Sequence, residues 1–153
     1  CAVHVYRLTK AEYGDTLLTG RGGLVADGRW HTAGRPILYT ATSEALTVLE
    51  VRVHLRRPLP HVAFALHVIE VPDESIRELA AADLPESWSS VPPRPESQAV
   101  GDTWLATASS LALRVPSVHS ASDATVLLNP LHPEASRLVR IRSRAYIFDP
   151  RLF

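Results

Sequence analysis

The stretch from Gly28 to Leu55, GRWHTAGRPILYTATSEALTVLEVRVHL, constrains this chain more than any other part of it. It opens on a glycine-rich turn, passes through a short strand from Pro36 to Ala41, and runs into a helix that Thr42 or Ser43 can cap. At about 100° per residue, Ser43, Thr47, Glu50 and His54 fall on one stripe roughly 60° wide. Ala45, Leu46, Val48, Leu49, Val53 and Leu55 take most of the remaining surface. An ordinary surface helix has the reverse pattern, an apolar stripe against a wide polar face. Burying a carboxylate and an imidazole along such a seam is costly unless something pairs with them. The seam is therefore expected to line a pocket.

A chain of 153 residues is expected to form one domain, residues 1–153, with a core of its own. Apolar residues at 46% and charged residues at 21% place it among globular proteins rather than disordered ones. The zero net charge argues against a broad nucleic-acid surface. No run approaches the roughly 18 apolar residues of a membrane span, and no signal peptide is visible, so a cytoplasmic protein with no membrane contact is expected. The single cysteine, Cys1, fits a reducing compartment. The chain has no methionine, so Cys1 is not expected to be a natural start. One lysine stands against fifteen arginines. Arginine's planar fork suits phosphates and carboxylates, although a general codon bias gives the same imbalance.

In chain order, Ala2–Leu8 alternates as a strand and Lys10–Leu18 reads as a short helix. Gly20–Gly34 holds five of the seven glycines, a loop where backbone can approach a ligand closely. His61–Val71 is a strong strand with His61 and His67 on one face. Glu74–Ala82 reads as a helix, and Asp83–Gln98 as a proline- and serine-rich loop. Gly101 and Asp102 start another helix, with Asp102 as its N-cap ahead of Trp104. Strands Ser110–Val115 and Ala124–Leu128 follow, then a short helix His132–Arg137. A last strand, Leu138–Phe148, puts Arg140, Arg142 and Arg144 on one face. Five or six strands and four short helices without βαβ alternation give an α+β class built on a mostly antiparallel sheet.

Glu50 and His54 are the leading polar pair, because a carboxylate and an imidazole spaced i,i+4 on a helix can orient or tune one another. A half-exposed pair that only stabilises the helix is the plainer alternative. Tyr39, at a strand end eleven residues earlier, is placed either to stack on a flat ring or to fill the core. Arg7, in an apolar strand, and Arg29, in the glycine loop, could each hold a phosphate or an acidic partner. Ser117 and Asn129 end strands, a position shared by pockets and turns. Metal chemistry has little support: there is no HExxH and no cysteine pair, and the seven histidines are scattered. GxxxxGK[ST], GxGxxG and GxSxG are all absent.

Arg7 in VYRL, GRW at Gly28–Trp30, Gly34 and the run LYTATSEALTVLEVRVH resemble the RES-domain toxin family, and so do GDTW at Gly101–Trp104, RVPS at Arg114–Ser117 and LLNPLHP at Leu127–Pro133. His31 departs from the pattern, which usually has asparagine after GRW. The resemblance implies an ADP-ribosyltransferase-like fold with NAD as substrate in a cleft and no metal. It also implies the toxin half of a bacterial toxin–antitoxin pair, neutralised by an Xre-type antitoxin. Such toxins transfer ADP-ribose to a protein, or cleave NAD with phosphate or water as acceptor. Carried over by motif, the implied site is Arg7, Arg29, Tyr39, Glu50 and Ser117, with Ser43 and His54 beside them.

That chemistry suits these residue types. Breaking the nicotinamide–ribose bond builds positive charge at the anomeric carbon, which the Glu50 carboxylate can stabilise. Tyr39 can stack on nicotinamide, Arg7 and Arg29 can hold the pyrophosphate, and Ser117 can bond nicotinamide or ribose. His54 can steady Glu50 or bind phosphate. Two other classes remain open: an RNA-cleaving toxin using Glu50 and His54 as acid and base, and a non-catalytic interaction domain whose seam is a docking groove.

Overall fold

The computed structural model describes residues 1–153. Seven strands form one sheet: β1 (Ala2–Lys10), β2 (Leu38–Ala41), β3 (Phe64–Pro72), β4 (Ile76–Glu78), β5 (Ala112–Pro116), β6 (Ala124–Leu128) and β7 (Val139–Tyr146). Their order across the sheet is β4-β5-β6-β2-β1-β3-β7. Only β4 and β5 run parallel; every other pair is antiparallel. Three α-helices accompany them, α1 (Gly22–Val25), α2 (Glu44–His54) and α3 (Pro95–Thr107), with a nine-residue 3-10 segment at Ala11–Thr19 and several single 3-10 turns. The expected α+β class with a mostly antiparallel sheet is the one observed. No helix is long and apolar enough to cross a membrane.

Side-chain alternation sorts the core onto the two faces of the sheet. Val5, Ile69 and Val71 pack with Leu38, Val126 and Leu128, and with Leu17 from the 3-10 segment Ala11–Thr19. Leu8, Phe64 and Leu66 meet Val48 and Val51 of α2. Trp30, Ile37, Leu113 and Leu127 meet Trp104 of α3. The strand residues named in these groups are nearly or fully buried, whereas Val48 and Val51 are partly buried and the edge strand β7 is mostly exposed.

The centre of the sheet carries the feature that positions the site. β1 and β3 pair over their whole length, from Ala2↔Pro72 to Lys10↔Phe64. β1 and β2 share only Tyr6↔Ala41. Beyond that pair the strands part, and buried backbone groups there need other partners. The Thr47 hydroxyl of α2 accepts from Leu8 N at 3.2 Å, and Arg7 Nη1 donates to the Tyr39 carbonyl at 3.2 Å. Two side chains thus replace ladder bonds that the strands no longer exchange.

Several elements differ from the sequence expectations. Glu74–Ala82 is not a helix: Ile76–Glu78 pairs in parallel with Ala112–Arg114 as an edge strand. Lys10–Leu18 winds as a 3-10 helix rather than an α-helix. α3 starts at Pro95, whose missing N–H costs nothing at a first turn, inside the stretch read as a loop. Asp102 is therefore not an N-cap but a mid-helix residue that accepts from Thr32 N and Thr32 Oγ1. His61 precedes β3, so it shares no strand face with His67. A bulge opposite Val68 and Ile69 displaces Ile141 from register. It sends Arg140 to the Gly14 carbonyl, while Arg144 pairs with Glu44 on α2.

The polar seam of α2 does not line one pocket. Ser43 caps the helix, Thr47 is buried against β1, Glu50 is partly exposed and His54 is exposed. Leu49 and Val53, on the apolar surface outside the seam, are 41% and 49% exposed. The helix buries its Leu46–Thr47 side because that side closes the parted strands.

Candidate functional site

Tyr39 lies at the parting of β1 and β2, and its hydroxyl is fully engaged. It accepts from Trp30 N at 3.1 Å and lies 2.7 Å from His31 Nδ1. His31 Nε2 faces the Gly23 carbonyl at 3.2 Å, and a carbonyl can only accept. Nε2 of His31 therefore carries a proton, and in the neutral ring Tyr39 donates to Nδ1. Burial pushes the phenol well above its ordinary range, so the donor is retained. Gly28 makes room for this arrangement: a Cβ there would lie 2.2 Å from the Tyr39 hydroxyl oxygen.

The two candidate arginines are held differently. Arg7 is fixed by the Tyr39 carbonyl, its Nε is buried without a partner, and burial lowers its pKa. Arg29 donates through one nitrogen, Nη1, to the Trp88 and Ser90 carbonyls at 2.9 and 2.8 Å. Its remaining donors make no protein hydrogen bond. Partial burial lowers the Arg29 pKa, and the negative charge of Glu50 is the strongest influence opposing that shift. Arg29 and Glu50 therefore share one electrostatic neighbourhood, reached from a loop and from a helix twenty-one residues apart in sequence.

Glu50 projects from the middle of α2 towards the turn that follows β5. Ser117 Oγ donates to Oε1 at 3.3 Å, and His119 Nε2 stands 3.6 Å from Oε2. The carboxylate is 35% exposed, bonded by Ser117 on one oxygen, near His119 on the other, and open to solvent. That turn is tied to the start of α2, because Ser43 and Ser120 both donate to Asp123 Oδ2. Ser43 also accepts from Leu46 N, so its hydroxyl is occupied in capping.

The fold brings Arg7, Tyr39, Arg29, Glu50 and Ser117 to one region around the strand parting. His54 is not joined to them. It ends α2 exposed and makes no hydrogen bond to Glu50, so the expected i,i+4 pair does not form. Its place beside the carboxylate is taken by His119. Sequence reasoning passed over His119; its only signal was its position two residues after Ser117. Asn129 is a turn residue, with Oδ1 accepting from Leu131 N. No group of three His, Cys, Asp or Glu residues is gathered to hold a metal ion.

Residues 4–149 match the RES domain family. The chain is 34% identical over 149 residues to "Toxin Res" of Photorhabdus laumondii subsp. laumondii, covering 97% of this chain and 96% of that protein. It is 35% identical over 138 residues to the "Prs ADP-ribosylating toxin" of Sphingobium sp., covering 88% of this chain and 86% of that one. Its fold is similar to a chain in the crystal structure of the M. tuberculosis MbcT-MbcA toxin-antitoxin complex. The TM-score there is 0.79 and the identity 22%, over 99% of this chain and 87% of that one.

Proposed function

The chain belongs to the RES domain family, and from that premise we propose that it is an NAD-consuming toxin that breaks the nicotinamide–ribose bond and passes ADP-ribose to an acceptor. The acceptor is a protein side chain, phosphate or water. The observation that carries the reading is the Glu50 carboxylate, half-open to solvent, held by Ser117 and electrostatically coupled to Arg29 beside the strand parting. A fixed negative charge of this kind stabilises the cationic ribose that develops as nicotinamide leaves. Arg7 and the free edge of Arg29 offer oriented donors suited to a pyrophosphate. Tyr39, with its hydroxyl already committed, offers its ring face to the nicotinamide. The Sphingobium relative named as an ADP-ribosylating toxin supports the same class of chemistry.

On this reading the partner is a cognate antitoxin, which the likeness to a fold solved as a toxin–antitoxin complex supports; the Xre type and a cytoplasmic setting are carried over from the sequence resemblance. RNA cleavage through Glu50 and His54 lacks the pair it requires.

Incubating the protein with NAD and measuring released nicotinamide tests the reading. Wild type is expected to release it, and Glu50→Gln to lose at least about 100-fold in rate with unchanged circular dichroism. Equal turnover by the folded Glu50→Gln variant removes Glu50 from the mechanism. No turnover by wild type removes the function.

A further inference from the structure

We propose that His119 is a positioning residue for Glu50, an inference that rests on the NAD-cleaving reading above. The carboxylate has two oxygens, and each faces a different group of the same turn. Oε1 takes the Ser117 hydroxyl at 3.3 Å, and Oε2 faces His119 Nε2 at 3.6 Å. The two groups are mechanically linked, because His119 N donates to Ser117 Oγ at 3.0 Å. The hydroxyl that bonds Glu50 is thereby itself held by the backbone of the residue carrying the imidazole.

The turn is anchored at its far end as well. Asp123 Oδ2 receives Ser43 from the helix cap and Ser120 from within the turn. Residues 117–123 are thus tied to α2 at two places, at its N-cap Ser43 and at mid-helix Glu50. The two carboxylate oxygens turn together about the last side-chain bond, a torsion with only a broad preference of its own. Ser117 restrains that rotation through one long bond to Oε1. His119, 3.6 Å from Oε2, adds a second restraint on the same rotation and narrows the directions in which the carboxylate can face a ribose. The imidazole is 27% exposed on its side chain, so it stands at the edge of the site and acts on substrate through Glu50.

Steady-state NAD turnover of wild type, His119→Ala and His119→Gln, with thermal unfolding of each, tests this. Glutamine carries its amide nitrogen close to where histidine carries Nε2, so it restores a donor to Oε2. His119→Ala is expected to lower kcat about 10- to 100-fold with KM for NAD changed less than about threefold. His119→Gln is expected to return kcat to within about fivefold of wild type. A merely structural role predicts equal losses in both variants that follow their melting temperatures. Unchanged kcat in His119→Ala, a rise in KM alone, or a glutamine variant as slow as alanine each overturns the proposal. If wild type consumes NAD and the histidine variants behave so, this inference falls by itself. If wild type consumes none, the functional reading falls first and takes this one with it.

Discussion

At the scale of single residues, Tyr39 separates two ways an aromatic can serve a site. Its hydroxyl oxygen accepts from Trp30 N and its proton goes to His31 Nδ1, which leaves the phenol no proton to give a substrate. Tyr39→Phe keeps the ring but strands a buried backbone N–H and a buried imidazole nitrogen. The expected cost is about 1–3 kcal/mol in chemical denaturation, while NAD turnover at a permissive temperature stays within about fivefold. Tyr39→Ala removes the ring and is expected to abolish turnover. A phenylalanine variant that is stable but inactive would show that the hydroxyl takes part in the chemistry. The sequence made Tyr39 a candidate from its place at a strand end, and Glu50 from its place among aliphatics. It did not disclose that the Tyr39 hydroxyl is taken up within the fold, because that depends on Trp30 and His31 folding back onto it. Nor did it disclose His119, because the partner of Glu50 comes from sixty-nine residues downstream rather than from the next turn of the same helix.

At the scale of elements, the glycine loop and α3 form one unit, which explains where pattern reading succeeded and failed. β1 was legible from its alternation, and β3 and β6 from their apolar runs, because β1 is partly exposed along its length while β3 and β6 are buried on both faces. Glu74–Ala82 was not, because β4 is three residues long and held by its parallel neighbour rather than by its own pattern. The start of α3 was hidden by its prolines, which also mark loops. Once α3 is seen to begin at Pro95, Gly101 and Asp102 fall on its inner face. Ser97 Oγ donates to the Arg29 carbonyl, Gln98 to the Gly28 carbonyl, and Asp102 accepts from Thr32. α3 thus holds the loop that carries Arg29. Gly101 permits this contact, since a Cβ there would lie 1.7 Å from the Trp30 carbonyl oxygen. Gly101→Ala is expected to destabilise by roughly 3 kcal/mol or more, because backbone rather than a flexible side chain must move. Denaturant unfolding measures it, and a loss below about 1 kcal/mol would show that loop and helix can separate without cost to the fold.

At the scale of the whole molecule, one buried imidazole couples the sheet's stability to pH. His67 lies on β3 directly across from Arg7, is 2% exposed, and bonds Ser143 on β7 at 2.7 Å. Its Nε2 has no partner. Burial, then the positive charges of Arg140 and Arg7, lower its pKa below the ordinary 6.5. The folded protein therefore holds His67 neutral while the unfolded chain protonates it below pH 6.5. Between the unfolded and folded pKa values the unfolded state binds more protons, so stability falls as pH is lowered. The contribution is complete above the unfolded value and is lost as pH falls through the folded one. One such proton gives a slope of up to about 1.4 kcal/mol per pH unit. Denaturant midpoints measured between about pH 7.5 and about pH 5.5 are expected to fall for wild type and to fall less for His67→Gln, which cannot take up the proton. Parallel curves would place the acid sensitivity elsewhere. The position of His67 gives the result a bearing on the site: its protonation sets a third positive charge beside Arg7 and Arg140. The strands that part around Arg7 would then be loosened from the side opposite Tyr39.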